Sequence, residues 1–150
     1  MHFSIQTPEN MHQLGLAIAK SLQAGDLVLL NGPLGAGKTT LTRGIGEGLG
    51  AKGTVQSPTF VLARTHRTLA GPRLVHVDAY RLSSAMELDD LDINFADSIV
   101  VVEWARDYVD GIASHWLVVD INRDAEDETR SVEITGVGSR WEGVEIALGN

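Results

Sequence analysis

The stretch from Leu27 to Gly48 constrains this chain more than any other. Leu27-Val28-Leu29-Leu30 is a continuous apolar run of strand length, the pattern of a strand buried on both faces. Gly32-Pro33-Leu34-Gly35-Ala36-Gly37-Lys38-Thr39 follows it and matches G-x-x-x-x-G-K-[ST]. A helix is expected from about Lys38 to Gly48, with Leu41 and Ile45 facing the core. A strand covered on both sides that hands over to a helix through a glycine-rich turn belongs to a layered α/β fold.

Each part of the turn has a physical task. Its glycines let successive backbone N–H groups point inward, and the start of the next helix adds a positive partial charge. Pro33, Leu34, Gly35, Ala36, Gly37 and Thr40 would act through backbone position, Lys38 through a full mobile charge for β- and γ-phosphates, and the Thr39 hydroxyl as an Mg²⁺ ligand. With 16 Gly and 3 Lys in 150 residues, the pattern would arise by accident in about 0.4 per cent of such chains. The alternative is a glycine-rich turn carrying a stray lysine, and the flanking strand and helix count against it.

The rest of the chain reads as further layers. Phe3–Ile5 alternates weakly, as a short strand does. Thr7 is placed to cap a helix with Pro8 in its first turn, and Met11, Leu14, Ile18 and Leu22 share one face of that helix, which Ala24-Gly25-Asp26 would end. Val61–Thr65 reads as a strand, Ala70-Gly71-Pro72 as a turn, and Leu74–Asp78 and Ile99–Val102 as buried strands. A short helix capped at Ser83 or Ser84 would contain Met86, Leu88 and Leu91. Trp116–Ile121 and Ser131–Thr135 read as an antiparallel pair joined by an acidic turn around Asp124–Glu128. Beyond Gly136 the pattern fits strand and helix equally. The expectation is one domain with a mixed, largely parallel sheet.

Composition removes several function classes. The chain has 12 Lys+Arg against 20 Asp+Glu, a net charge of −8, which argues against a broad nucleic-acid-binding surface. With no cysteine, a disulfide scaffold, a thiolate metal site and a cysteine nucleophile are excluded. No basic segment followed by an apolar run opens the chain, and its apolar runs are only strand-sized, so a soluble cytoplasmic protein with no membrane association is expected.

Two carboxylates close apolar strands, Asp78 after Leu74-Val75-His76-Val77 and Glu103 after Ile99-Val100-Val101-Val102. In a parallel sheet both strand ends open onto the edge that carries the loop. One could complete a metal site while the other orients a water or substrate; on strand-end position alone Asp78 is slightly favoured for the metal. The competing reading makes each a cap or a surface turn residue. Ser57-Pro58-Thr59-Phe60 has the position of a switch segment in which Thr59 senses a phosphate, or of a plain turn. Trp104 leaves its strand at the same edge and could stack on a ligand or belong to the core. His76 shares a strand face with Asp78 and reads as a packed histidine. Arg64, Arg67, Arg73 and Arg81 read as solvated, and Asp89, Asp90 and Asp92 as a solvent-facing turn.

Taken in order, Gly35-Ala36-Gly37-Lys38-Thr39-Thr40, Ser57-Pro58-Thr59-Phe60, His76-Val77-Asp78-Ala79-Tyr80-Arg81-Leu82 and Glu103-Trp104 resemble the TsaE family, the ATPases of bacterial tRNA threonylcarbamoyladenosine biosynthesis. Pro33 stands where that family often has Asp, and Ala105 where Pro is frequent. The resemblance implies a small P-loop NTPase-like three-layer fold, ATP with Mg²⁺, Thr39 and Glu103 on the metal, Lys38 on the phosphates and Asp78 in hydrolysis. It places Trp104 near the nucleotide or a partner, and Thr7, Pro8 and Arg130 near the adenine. It also implies action with TsaB and TsaD, of which TsaD transfers threonylcarbamoyl to the adenosine beside the anticodon, so that tRNA is met only indirectly. Two other classes compete with this one. A small-molecule kinase would need a basic lid, and no arginine-dense segment is visible. A nucleotide-dependent binding switch would hardly hydrolyse ATP. A GTPase is disfavoured because the nearest string to Asn-Lys-x-Asp, Asn94-Phe95-Ala96-Asp97, lacks the lysine.

Overall fold

The computed structural model describes residues 1–33, 35–53, 63–78, 93–103, 113–123 and 129–147. In chain order these contain β1 (His2–Ile5), α1 (Pro8–Ala19), β2 (Leu27–Asn31), α2 (Lys38–Leu49), β3 (Ala63–His66), β4 (Arg73–Asp78), β5 (Ser98–Glu103), β6 (Trp116–Arg123) and β7 (Arg130–Val137). Short 3-10 turns occupy Phe95–Asp97 and Ser139–Trp141.

All seven strands form one sheet in the order β1-β7-β6-β2-β5-β4-β3. The middle is parallel, with β2 between β5 and β6, and β4 beside β5. The flanks are antiparallel, where β3 pairs with β4, β7 with β6 and β1 with β7. The sheet is therefore mixed and parallel at its centre. Because β2, β4 and β5 are apolar on both faces, they take the central positions, where both faces are covered.

One face carries the two helices. Leu14 and Ile18 of α1 and Leu41 and Ile45 of α2 pack on Val28, Leu30, Ile99 and Val101. The opposite face buries Leu27, Leu29, Val75, Val77, Val100 and Val102, with Ile93, Phe95 and Ala113 packed against it. Both faces are thus enclosed, as a layered fold requires. The helices cross at a glycine contact. A Cβ on Gly44 would lie 2.3 Å from the His12 carbonyl oxygen, and Gly15 meets the same crossing from the other side.

Several boundaries depart from the sequence reading. Thr7 caps α1 as expected, its side chain accepting from Asn10 N–H at 3.0 Å. The helix stops at Ala19, however, rather than near Ala24. Ser21 and Leu22 donate to Ile18 and Ala19 carbonyls in a tightened last turn, and Leu22 reaches the core from that turn. Helical spacing therefore continues in the sequence after the helix has ended. Beyond Gly136, β7 runs one residue further and a 3-10 turn buries Trp141. The segments expected to hold the Ser83 helix, the acidic hairpin turn and residues 61–62 lie outside the described residues. No helix among the described residues is long and apolar enough to cross a membrane.

Candidate nucleotide site

The site is assembled at the C-terminal ends of β2, β4 and β5. Register sets Leu30 beside Glu103, and Glu103 beside Asp78. The chain leaving β2 turns at once through Gly32, so the glycine-rich loop begins next to both acids. Gly37, the N-cap of α2, has φ +114°, and a Cβ there would also press on the Met11 side chain at 3.2 Å. Glycine is favoured at this position by its backbone angle. Thr42 secures the first turn of α2 from inside, its hydroxyl donating to Lys38 O at 2.8 Å.

Lys38 is buried, and its ammonium donates to Gly32 O at 2.6 Å and Pro33 O at 3.0 Å. Burial lowers its pKa below the usual 10.5, while the Glu103 and Asp78 charges push the other way. That opposition places the lysine within the field of both strand-end acids. Lys38, Asp78 and Glu103 thus lie at one end of the parallel strands. Thr39 and Thr40 sit half-buried in the first turn of α2, at the mouth of the loop.

His76 is packed, as its place on the strand implies, and it also meets one of the acids. It is fully buried, with Nε2 3.4 Å from Glu103 Oε1. Neither ring nitrogen has a hydrogen-bond partner among the described residues, nor does Glu103 Oε1. The histidine thus stands directly beneath the acid. An unpartnered buried carboxylate oxygen is costly unless a ligand supplies its partner. The Glu103 carboxylate and the Thr39 hydroxyl are oxygen donors of the kind that suits Mg²⁺, which takes few protein ligands and keeps its remaining positions for phosphate and water. No cluster of three or more His, Cys, Asp or Glu that could hold a metal ion is found among the described residues.

A cleft of about 220 Å³ opens beside the loop, lined by Ile5, Thr7, Pro8, Met11, Gly37 and Arg130, among others. This brings together the first-helix start and the hairpin arginine, residues that are far apart in sequence. Arg130 Nε donates to Ala36 O at 3.2 Å. Its cross-strand partner is Arg123, whose guanidinium also lies against the loop, 3.9 Å from where a Gly35 Cβ would be. Arg123 was missed from the sequence; the only signal for it was its place opposite Arg130 in the hairpin. Leu34, Thr59 and Trp104 lie outside the described residues, as does the Ser57–Phe60 segment. Asn94-Phe95-Ala96-Asp97 leads into the start of β5, away from the loop, so it cannot read a base bound there.

Comparison with known proteins fits this geometry. The family model described as threonylcarbamoyl adenosine biosynthesis protein TsaE matches residues 5–132. The chain belongs to the TsaE family. A TsaE protein of Streptomyces coelicolor is 53% identical over 145 residues, covering 92% of this chain and 98% of the relative. The TsaE protein of Bacillus subtilis is 37% identical over 136 residues, covering 90% and 85%. Among solved structures, the crystal structure of Bacillus YdiB superposes with a TM-score of 0.78 at 31% identity, covering 95% of this chain and 88% of that one. Membership in TsaE agrees with the P-loop NTPase-like α/β fold.

Proposed function

We propose that this chain binds ATP with Mg²⁺ and hydrolyses it in support of threonylcarbamoyl transfer to the adenosine next to the anticodon of tRNA, acting with TsaB and TsaD. The observation that carries the reading is the meeting of a buried loop lysine with two carboxylates from adjacent parallel strands. The relatives' description as tRNA threonylcarbamoyladenosine biosynthesis proteins supplies the pathway.

In this reading the loop amides hold the triphosphate, and Lys38 exchanges the carbonyls of Gly32 and Pro33 for β- and γ-phosphate oxygens. Thr39 and Glu103 hold the metal, which when bound neutralises phosphate charge. His76 keeps the Glu103 carboxylate in place from below. Asp78, one strand over, orients the attacking water and accepts its proton. Arg130 and Arg123 bring positive charge to the loop, and the cleft between Ile5, Pro8 and Met11 offers apolar walls to a planar base. The acidic chain reaches tRNA only through its partners, in the cytoplasm.

ATP hydrolysis measured with and without the purified TsaB–TsaD pair tests this. Slow turnover alone and faster turnover with the pair are expected, and Lys38→Ala and Glu103→Ala should each lower the rate by about tenfold or more. If neither substitution changes the rate, the site assignment is wrong.

A further inference from the structure

The 20 acidic residues of this chain avoid one long stretch. From Gly48 to Val77 there is no Asp or Glu, while Lys52, Arg64, Arg67 and Arg73 all fall within it. The fold turns three of these cations into a row. The β3–β4 register ends with His66 opposite Leu74, and Arg67 and Arg73 are the adjoining residues on the two segments. On the other side Ala51 bridges Thr68, and Lys52 N–H donates to Arg67 O at 2.8 Å, which sets Lys52 opposite Arg67. Ala51 packs on the helix-side core, so the alternating positions 52, 67 and 73 share the other face. All three residues are exposed.

Neighbouring strands are about 4.8 Å apart, so the row spans about 10 Å. Like charges directly opposite each other destabilise a sheet. No carboxylate among the described residues pairs with any of the three. Asp97 shares a polar cleft with Arg73, but its carboxylate is engaged by Asn94 at 2.8 Å. Beside the row, Leu69 at the hairpin tip is 82% exposed, one of only two large apolar side chains so displayed among the described residues.

We propose that the β3–β4 hairpin, with Lys52, is a docking surface for a protein partner that presents carboxylates around an apolar socket for Leu69. An arginine pair beside an apolar anchor is the composition of a protein interface. A nucleic-acid backbone fits less well: its charge runs on past three cations into the acidic remainder of the chain, and Leu69 gains nothing from phosphate. The row lies at the opposite end of β4 from Asp78, about 17 Å away along the strand, so docking there leaves the phosphate loop open.

The choice of probe rests on the partner reading above. Wild-type protein, Lys52→Gln/Arg67→Gln/Arg73→Gln, the corresponding triple Glu variant and Leu69→Ser are titrated against the purified TsaB–TsaD pair at low and high salt, and against a tRNA transcript. ATP affinity of each variant serves as the folding control. The triple variants should bind the pair at least about tenfold more weakly with a flattened salt dependence, and Leu69→Ser should weaken binding at both salts, with ATP affinity unchanged. Equal binding by wild type and variants overturns the docking surface and leaves the partner reading intact. Wild type that fails to bind the pair overturns both. A transcript bound by wild type and lost by the triple variants assigns the row to RNA and overturns the protein partner.

Discussion

At the scale of single residues, Lys38 is held between opposing influences. Burial disfavours its charge, and Glu103 and Asp78 favour it. In the protein without nucleotide its pKa lies below that of an unfolded lysine, so between the lowered value and 10.5 the unfolded chain binds more protons and stability rises with pH. A triphosphate favours the ammonium form, so nucleotide binding in that window takes up a proton and weakens as pH increases. The two slopes have opposite signs. Calorimetry in two alkaline buffers of different ionisation enthalpy should show proton uptake with wild-type protein and none with Lys38→Met. Denaturation of the nucleotide-free protein across the same window should lose its alkaline rise in that variant. Uptake that persists in Lys38→Met would assign the proton to another group.

At the scale of elements, the helix pair depends on close approach. With the Gly44 Cβ position 2.3 Å from His12 O, even a methyl group must push α1 and α2 apart. Gly44→Ala raises helix propensity by about 1 kcal/mol, yet overpacking costs about 1–3 kcal/mol, so a net loss is expected in urea denaturation. Because α1 also walls the cleft through Met11, ATP affinity should fall alongside. A stabilised variant would mean that the helices separate without strain. These elements differ in how well the sequence shows them. β2, β4 and β5 were legible because strands covered on both faces read as unbroken apolar runs, and the loop was legible because its chemistry is local. The end of α1 was not, since Leu22 keeps helical spacing while packing from a turn. Arg123 was not, because its approach to the loop depends on pairing with Arg130 across a hairpin. Nor was the strand order, in which β1 joins β7 at the far edge of the sheet.

At the scale of the whole molecule, the end of the sheet away from the glycine-rich loop is tied together by one buried charge. Asp26 enters β2 with its carboxylate enclosed, accepting Gln23 N–H at 2.8 Å. Arg140 Nε and Nη2 donate to its two oxygens at 3.1 and 3.0 Å, and Nη2 also donates to Ser21 O at 2.7 Å. The guanidinium lies over the Trp141 ring, 4.3 Å from its centre, and His115 Nε2 is 3.8 Å from Asp26. Residues from the end of α1, the start of β2, the approach to β6 and the turn after β7 thus meet on one carboxylate. Removing Arg140 strands that charge, and breaking a buried pair from one side costs about 3–5 kcal/mol. Arg140→Met should therefore lower the urea midpoint markedly, whereas Asp26→Asn combined with Arg140→Met should recover much of the loss, since the amide needs no counter-charge and its oxygen can still accept from Gln23. The clamp sits at the opposite end of β2 from the phosphate loop, so the folded fraction of each variant should bind ATP as wild type does. A double variant no more stable than Arg140→Met would show that the guanidinium acts through Trp141 and Ser21, with the charge of Asp26 incidental to the fold.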